Sequence, residues 1–153
     1  MRLVVADASP LHYLILIGSV DLLAVLFEKV VLPNTVRRWI ANLPAWLEVC
    51  DAPLDEAEDA SHAGIDAGER AAIQLAISLN ADLLLMDDRK GVYAAQGKGL
   101  RVTGTLGILD LAAQRDLVDF AQAVEQLRRA NFRVPRALLD ALLEKYREKG
   151  ERL

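Results

Sequence analysis

The chain is poor in the residues that most readily announce a chemistry. A single cysteine, Cys50, among 153 residues permits no internal disulfide. The only histidines, His12 and His62, fall on a helix face and in a loop, at positions that do not suggest ligands. Cys50 ends the strand-like stretch Leu47-Glu48-Val49 with no His or second Cys beside it, so packing is its expected task. Hydrophobic residues make up 53% of the chain and the mean hydropathy is +0.19. Charges nevertheless break every apolar run before the roughly 18 residues a membrane span needs. No membrane segment is expected, and without a secretory pattern at the start the reading is a protein of the reducing cytoplasm. A glycine-rich phosphate loop, Gly-x-Ser-x-Gly, zinc-type spacing, internal repeats and low-complexity tracts are all missing. Those absences argue against nucleotide-loop enzymes, serine hydrolases and zinc sites.

What the chain does have is carboxylates in chosen places. The net charge of −4 argues against a large basic surface, but the charges are unevenly spread. Over residues 51–69 every charged side chain is acidic, whereas Arg128, Arg129, Arg133 and Arg136 gather late in the chain. Such arginines are commonly just solvated helix faces, yet a basic patch beside an acidic pocket also guides a phosphate backbone inward.

Residues 2–10, RLVVADASP, set the pattern for the rest. Leu3-Val4-Val5-Ala6 is short, β-branched and uninterrupted, as in a parallel strand buried on both faces. Asp7 then sits at a strand's carboxyl end, where open α/β sheets bind ligands, although it equally suits a helix cap. Ser9 is a good N-cap and Pro10 suits a first turn, predicting a helix from Leu11. A short helix is expected over 21–27, a strand over 29–32 and a helix opened by Pro33, with Trp39 and Trp46 packed. An edge strand over 46–50 follows, and then an acidic segment over 53–62 that reads as helix or mobile loop.

The best-marked helix spans 64–80, where Asp66 precedes Glu69 by the spacing of a capping box. Asp82-Leu83-Leu84-Leu85-Met86 repeats the opening pattern, a buried strand ended by Asp87 and Asp88. A helix around 92–96, a turn at 97–99, a strand over 100–103, a helix begun by Thr105 and amphipathic helices over 119–129 and 135–149 complete the chain. Strand and helix alternate throughout, which implies right-handed crossovers. One α/β domain over 1–153 is expected, three-layer and Rossmann-like, with a central parallel sheet between helices.

Asp7, Glu69, Asp87 and Asp88 are therefore expected at one sheet edge. Hard oxygen donors suit Mg²⁺ or Mn²⁺, which take a few carboxylates plus waters and phosphate oxygens. Close carboxylates repel unless a cation neutralises them, and a cation so held can orient water for attack on a phosphodiester. The spacing also admits a plain structural reading, since Asp66 with Glu69 is a capping box and Asp88 can cap the next helix. A phosphoacceptor or nucleotide-binding domain is a weaker alternative, because the phosphate loop is missing.

The segments VVADASPLHYL, IDAGERAAIQLA, ADLLLMDDRKG and VTGTLGILDLA, in that order, resemble the PIN-domain family, specifically the bacterial branch similar to toxins of toxin–antitoxin pairs. That resemblance covers almost the whole chain. It implies a PIN-like α/β/α fold and a Mg²⁺- or Mn²⁺-dependent ribonuclease acting on RNA. Asp7, Glu69 and the Asp87-Asp88 pair would be metal ligands, Asp88 fitting the commoner motif position, with Ser9 and Thr105 hydrogen-bonding nearby. A small antitoxin is the implied partner, and apolar helices near both ends make a homodimer plausible. One departure stands out: Trp39 occupies the position of a further family glutamate, and no acid lies between Pro33 and Glu48. That substitution opens the alternative of a catalytically impaired PIN-like module that binds RNA or protein.

Overall fold

Runs of valine and leucine too short to be helices and too apolar to have a wet side dictate the centre of the fold. The computed structural model describes residues 2–53 and 64–151. Five strands, β1 (Leu3–Ala6), β2 (Lys29–Pro33), β3 (Glu48–Cys50), β4 (Leu83–Leu85) and β5 (Val102–Thr103), form a sheet of order β3-β2-β1-β4-β5. Every pairing in it is parallel. Register places Val5 beside Val31 and Leu84 on one face, and Val4 beside Val30 and Leu83 on the other. Both sets are buried, which is why these strands carry no polar alternation. The expected α/β class with a central parallel sheet is what the chain adopts, in keeping with the three-layer PIN-like arrangement.

The described chain divides into two compact units, Met1–Thr105 and Leu106–Leu153. In the first, α3 (Ala67–Ser78) lies on β1, β2 and β4 and buries Ala72, Ile73, Leu75 and Ala76 against Val5, Val31 and Leu84. Half-buried Cys50 packs against the same cluster. Asp66 caps α3 by accepting the Glu69 N–H at 2.7 Å. At the other end Asn80 turns left-handed, φ 52°, so that the Ala81 N–H closes on the Ala76 carbonyl at 2.9 Å. Helices α1 (Ala8–Leu16), α2 (Leu22–Leu26) and α4 (Arg89–Gly97) complete this unit. Asp82 anchors the start of β1, its Oδ2 accepting the Leu3 N–H at 2.9 Å.

Two local expectations change. Helix α1 starts at Ala8 with Asp7 as its N-cap residue, not Ser9, because Asp7 stays extended (φ −81°, ψ 167°) and its N–H completes a bond to the Leu85 carbonyl at 2.9 Å. Ser9 and Pro10 then fall in the first turn, where backbone N–H groups lack intrahelical acceptors anyway. The helix expected after Pro33 is only a 3₁₀ helix, Asn34–Trp39, with Pro33 still in β2. Val36 is its buried residue, so Trp39 does not pack as expected but stands 66% exposed. Trp46 is half-buried and donates its indole N–H to Asp21 at 3.0 Å. The acidic stretch expected over 53–62 lies, beyond Pro53, outside the described residues.

In the second unit α5 (Thr105–Gln114) continues from the boundary residue, followed by α6 (Phe120–Arg129) and α7 (Arg136–Glu151). Phe120, Ala123, Val124 and Leu127 recur at helical spacing and are buried, as an amphipathic stripe should be. Asp119 caps α6 through the Gln122 N–H at 3.0 Å, and Phe120 stacks on Tyr146 of α7 at 4.9 Å between ring centres. Among the late arginines, Arg129 pairs along its own helix with Glu125 at 3.6 Å.

Candidate metal centre

The strand order fixes where a site can form. After β3 at one edge the chain returns to place β4 beside β1, so consecutive crossovers diverge between β1 and β4. Crevices at that switch point, outside the carboxyl ends of the strands, are where open α/β sheets bind ligands. Asp7 follows β1 and Asp87 follows β4, one on each side.

Asp7 is 6% exposed and its side chain makes no cap bond to α1. Burial pushes its carboxyl up to about 6, the Ala8 N–H offsetting part of that and the charges of Asp66, Asp87 and Asp88 adding to it. Glu69, in the first turn of α3, is pushed further, to about 8, by burial, by a hydrogen bond with Asp66 and by the charges of Asp66, Asp88 and Asp7. Its Oε2 is buried and finds no hydrogen-bond partner among the described residues, as is also true of the neighbouring Arg70 Nε. An orphaned buried carboxylate oxygen is costly unless a cation or donor completes it.

Asp87 and Asp88, adjacent in sequence, have different tasks. Asp88 is exposed and caps α4 through the Gly91 N–H at 3.0 Å. Asp87 is held from β5's far end: Thr105 donates its N–H to Oδ1 and its hydroxyl to Oδ2, both at 2.7 Å, while the Ser9 hydroxyl reaches Oδ2 at 3.4 Å. Burial still raises the Asp87 carboxyl above its ordinary range, outweighing those donors. Thr105 is fully buried, so its hydroxyl is committed to Asp87. Ser9, released from capping by the early start of α1, is free to donate there.

Three contributors were invisible in the one-dimensional reading. Asp66, read only as a cap, also presses on Glu69 and Asp7 electrostatically. Gly91 makes room for the acid pocket, because a Cβ there would lie 2.6 Å from Glu69 Oε2 and 2.5 Å from Met86 Sδ. A Cβ on Gly104 would overlap Asp87 Oδ1. The only signal for the last two was a glycine beside each acidic motif, and the fold was needed to say which acid each one accommodates.

Asp7 lies within electrostatic reach of Asp66, Asp87 and Asp88, and Glu69 within reach of Asp66, Asp88 and Asp7. Among the described residues no group of three or more His, Cys, Asp or Glu side chains is close enough to form a ready ligand cage. Mg²⁺-type ions are commonly held by one or two carboxylates with waters completing the shell. The orphaned Glu69 oxygen, the uncompensated charge around Asp7 and an all-oxygen donor set fit such an ion. Trp39, at the position expected to carry a further acid, is solvent-facing and adds no ligand.

A family model described as PIN domain matches residues 3–148. Comparison with curated proteins gave no match. Comparison with solved structures gave none either.

Proposed function

Because the chain belongs to the PIN-domain family, in general divalent-metal-dependent nucleases, we propose that it is an endoribonuclease hydrolysing RNA phosphodiester bonds. We further propose that it is the toxin of a toxin–antitoxin pair. The observation that carries the reading is Asp7, buried at the switch point beside other carboxylates, where burial and their charges both disfavour its ionised form unless a cation is present. Asp7, Glu69 and Asp87 are the proposed ligands of Mg²⁺ or Mn²⁺, with Asp88 as a more exposed contributor. When bound, such an ion neutralises phosphate charge and makes water a competent nucleophile near neutral pH. Thr105 and Ser9 keep Asp87 oriented, the way outer-shell donors fix metal-ligating carboxylates, and Gly91 and Gly104 leave the space those carboxylates occupy.

The family match spans both compact units, which supports reading the chain as a single PIN-like domain. A small antitoxin, a homodimer and a cytoplasmic setting belong to the same proposal; no helix among the described residues is long and apolar enough to cross a membrane.

Cleavage of a structured RNA by the purified protein with Mn²⁺ is the test, and an Asp7→Asn variant that cleaves as fast as the parent would overturn the proposed site. A second reading, a catalytically impaired module binding RNA or protein, is favoured by the exposed Trp39 where a carboxylate was expected and by the absence of acids between Pro33 and Glu48. Calorimetric titration with Mn²⁺ separates the two: binding that disappears on joint Asp87→Asn and Asp88→Asn substitution counts against impairment.

A further inference from the structure

The segment that departs from the family pattern has a surface of its own. The 3₁₀ helix Asn34–Trp39 carries Arg37, Arg38 and Trp39, all exposed. The Arg38 guanidinium lies 5.2 Å over the Trp39 ring, yet Trp39 remains 66% exposed, so most of the residue's surface is still open to solvent. Beside it is an open groove of about 670 Å³ lined by Asn34, Thr35, Arg37, Arg38 and Ile40. Two positive charges with no acid from 33 to 47, in a chain of net charge −4, make this strip complementary to an anion.

Its place in the fold relates it to the carboxylates. The 3₁₀ helix leaves the carboxyl end of β2, the neighbour of β1, so it lies at the same sheet edge as Asp7. Val36 seats it on the first turn of α3, where Gly68 carries no side chain because a Cβ there would lie 2.6 Å from Val36 Cγ1. That turn also carries Glu69. A large aromatic left in water beside two guanidinium groups buries little apolar surface, and Val36 is what anchors this turn to the core. Aromatic faces with adjacent arginine are how proteins hold unpaired bases and their phosphates.

We propose that Arg37, Arg38 and Trp39 form a substrate subsite that takes one unpaired nucleotide of a single-stranded RNA segment. The indole stacks on the base, and the arginines and the Asn34-Thr35 side of the groove receive the adjacent phosphate and sugar. The subsite rests on the ribonuclease reading for the identity of its ligand, and it gives the missing acid a replacement role: substrate is held where the family pattern would place a carboxylate.

The experiment measures binding of a fluorescent single-stranded RNA and of the same sequence as a duplex to the full chain in EDTA, where cleavage does not intervene. Trp39→Ala is expected to weaken single-strand binding about tenfold, as loss of one stacked base does, with Trp39→Phe restoring most of it and duplex binding little changed. Arg37→Gln with Arg38→Gln is expected to flatten the dependence of log affinity on log salt by about 1 or 2. Thermal unfolding at the parent's temperature establishes that the variants are folded. Unchanged single-strand affinity in Trp39→Ala overturns the subsite, as does failure of the parent to bind single-stranded RNA. Unaltered RNA binding with a lowered sedimentation mass overturns it too, marking the strip as a contact between copies. A parent that cleaves RNA while Trp39→Ala binds normally defeats the subsite alone. A parent that never cleaves but binds RNA through Trp39 defeats the nuclease reading alone.

Discussion

Asp7 and Asp110 are both withdrawn from water, yet their surroundings drive them in opposite directions. Asp110, on α5, is 20% exposed at its side chain. Burial tends to raise it, but Tyr146, Lys145 at 3.2 Å and Gln114 at 3.1 Å all donate to it, and its carboxyl is held below the ordinary range. In exchange the Tyr146 hydroxyl is pushed up, first by burial and then by its bond to Asp110. Asp7 rises to about 6, first through burial, with the Ala8 N–H as its offsetting donor and the charges of Asp66, Asp87 and Asp88 adding to the rise where Asp110 has side-chain donors. A half-buried carboxylate met by three side-chain donors is held as part of the fold. A buried charge placed among like charges costs stability unless something absent from the chain completes it, which is the physical signature of a binding site.

The sharpest way to break that contrast is to remove each charge. Asp7→Asn is expected to lower Mn²⁺-dependent RNA cleavage by about 10²-fold or more, the scale of losing a group that supports several kcal/mol of charge stabilisation. Its melting temperature without metal should be unchanged or higher at pH 7. If that substitution instead unfolds the protein, Asp7 is structural and the contrast fails.

Acidity reads the same contrast without mutation. Asp7 rises from 3.8 to about 6 and Glu69 from 4.5 to about 8 on folding. Their protonated forms favour the folded state, so that contribution is complete below pH about 4 and is lost as pH rises through 6 and then 8. For Asp7 alone the shift corresponds to on the order of 3 kcal/mol. Metal-free melting temperature should therefore fall between pH 5 and 8, and added Mn²⁺ should stabilise more at pH 8 than at pH 6, because the protons must leave for the cation to bind. Asp110 acts the other way, its depressed carboxyl contributing stability that is lost as pH falls below the usual carboxylate range. A flat metal-free profile from pH 5 to 8, persisting in Asp7→Asn, would remove the acid pocket from the account.

Asp110→Ala sharpens the structural side. Tyr146, Lys145 and Gln114 lose a shared acceptor, and charge-assisted bonds of this kind contribute about 2 kcal/mol. Chemical denaturation should show that loss, with Mn²⁺ affinity unaltered.

Most of the sheet was legible because buried parallel strands admit only valine, leucine and their like, and Asp7 and Asp87 mark where those runs stop. The capping of α3 was legible for a similar reason, since the Asp66 carboxylate and the Glu69 N–H are three residues apart. The segment after Pro33 was not. Val36, Trp39 and Ile40 span too little chain for a period of 3.6 to be told from one of 3.0, and whether Trp39 has anything to pack against is decided by tertiary structure. The choice between Asp7 and Ser9 as cap was equally hidden. Both are good caps, and what decides is a ladder bond from Asp7 to Leu85, 78 residues later.

Thr105→Val gives the smallest effect and the finest division between holding a carboxylate and holding the fold. The replacement keeps the buried shape and the backbone N–H bond to Asp87 Oδ1, but deletes the hydroxyl donated to Oδ2 at 2.7 Å, leaving Ser9 at 3.4 Å as the remaining hydroxyl donor recorded there. Loss of one such bond costs about 1 kcal/mol of stability, measurable by denaturant titration. The same loss frees Asp87 to turn and raises its carboxyl further. Mn²⁺ affinity should then drop about tenfold, as it does when an outer-shell partner of a metal ligand is removed. Calorimetry with Mn²⁺ distinguishes the two roles: an intact affinity in a variant destabilised by that amount would make Thr105 a packing residue, and would move Asp87 from the acid pocket to the company of Asp110.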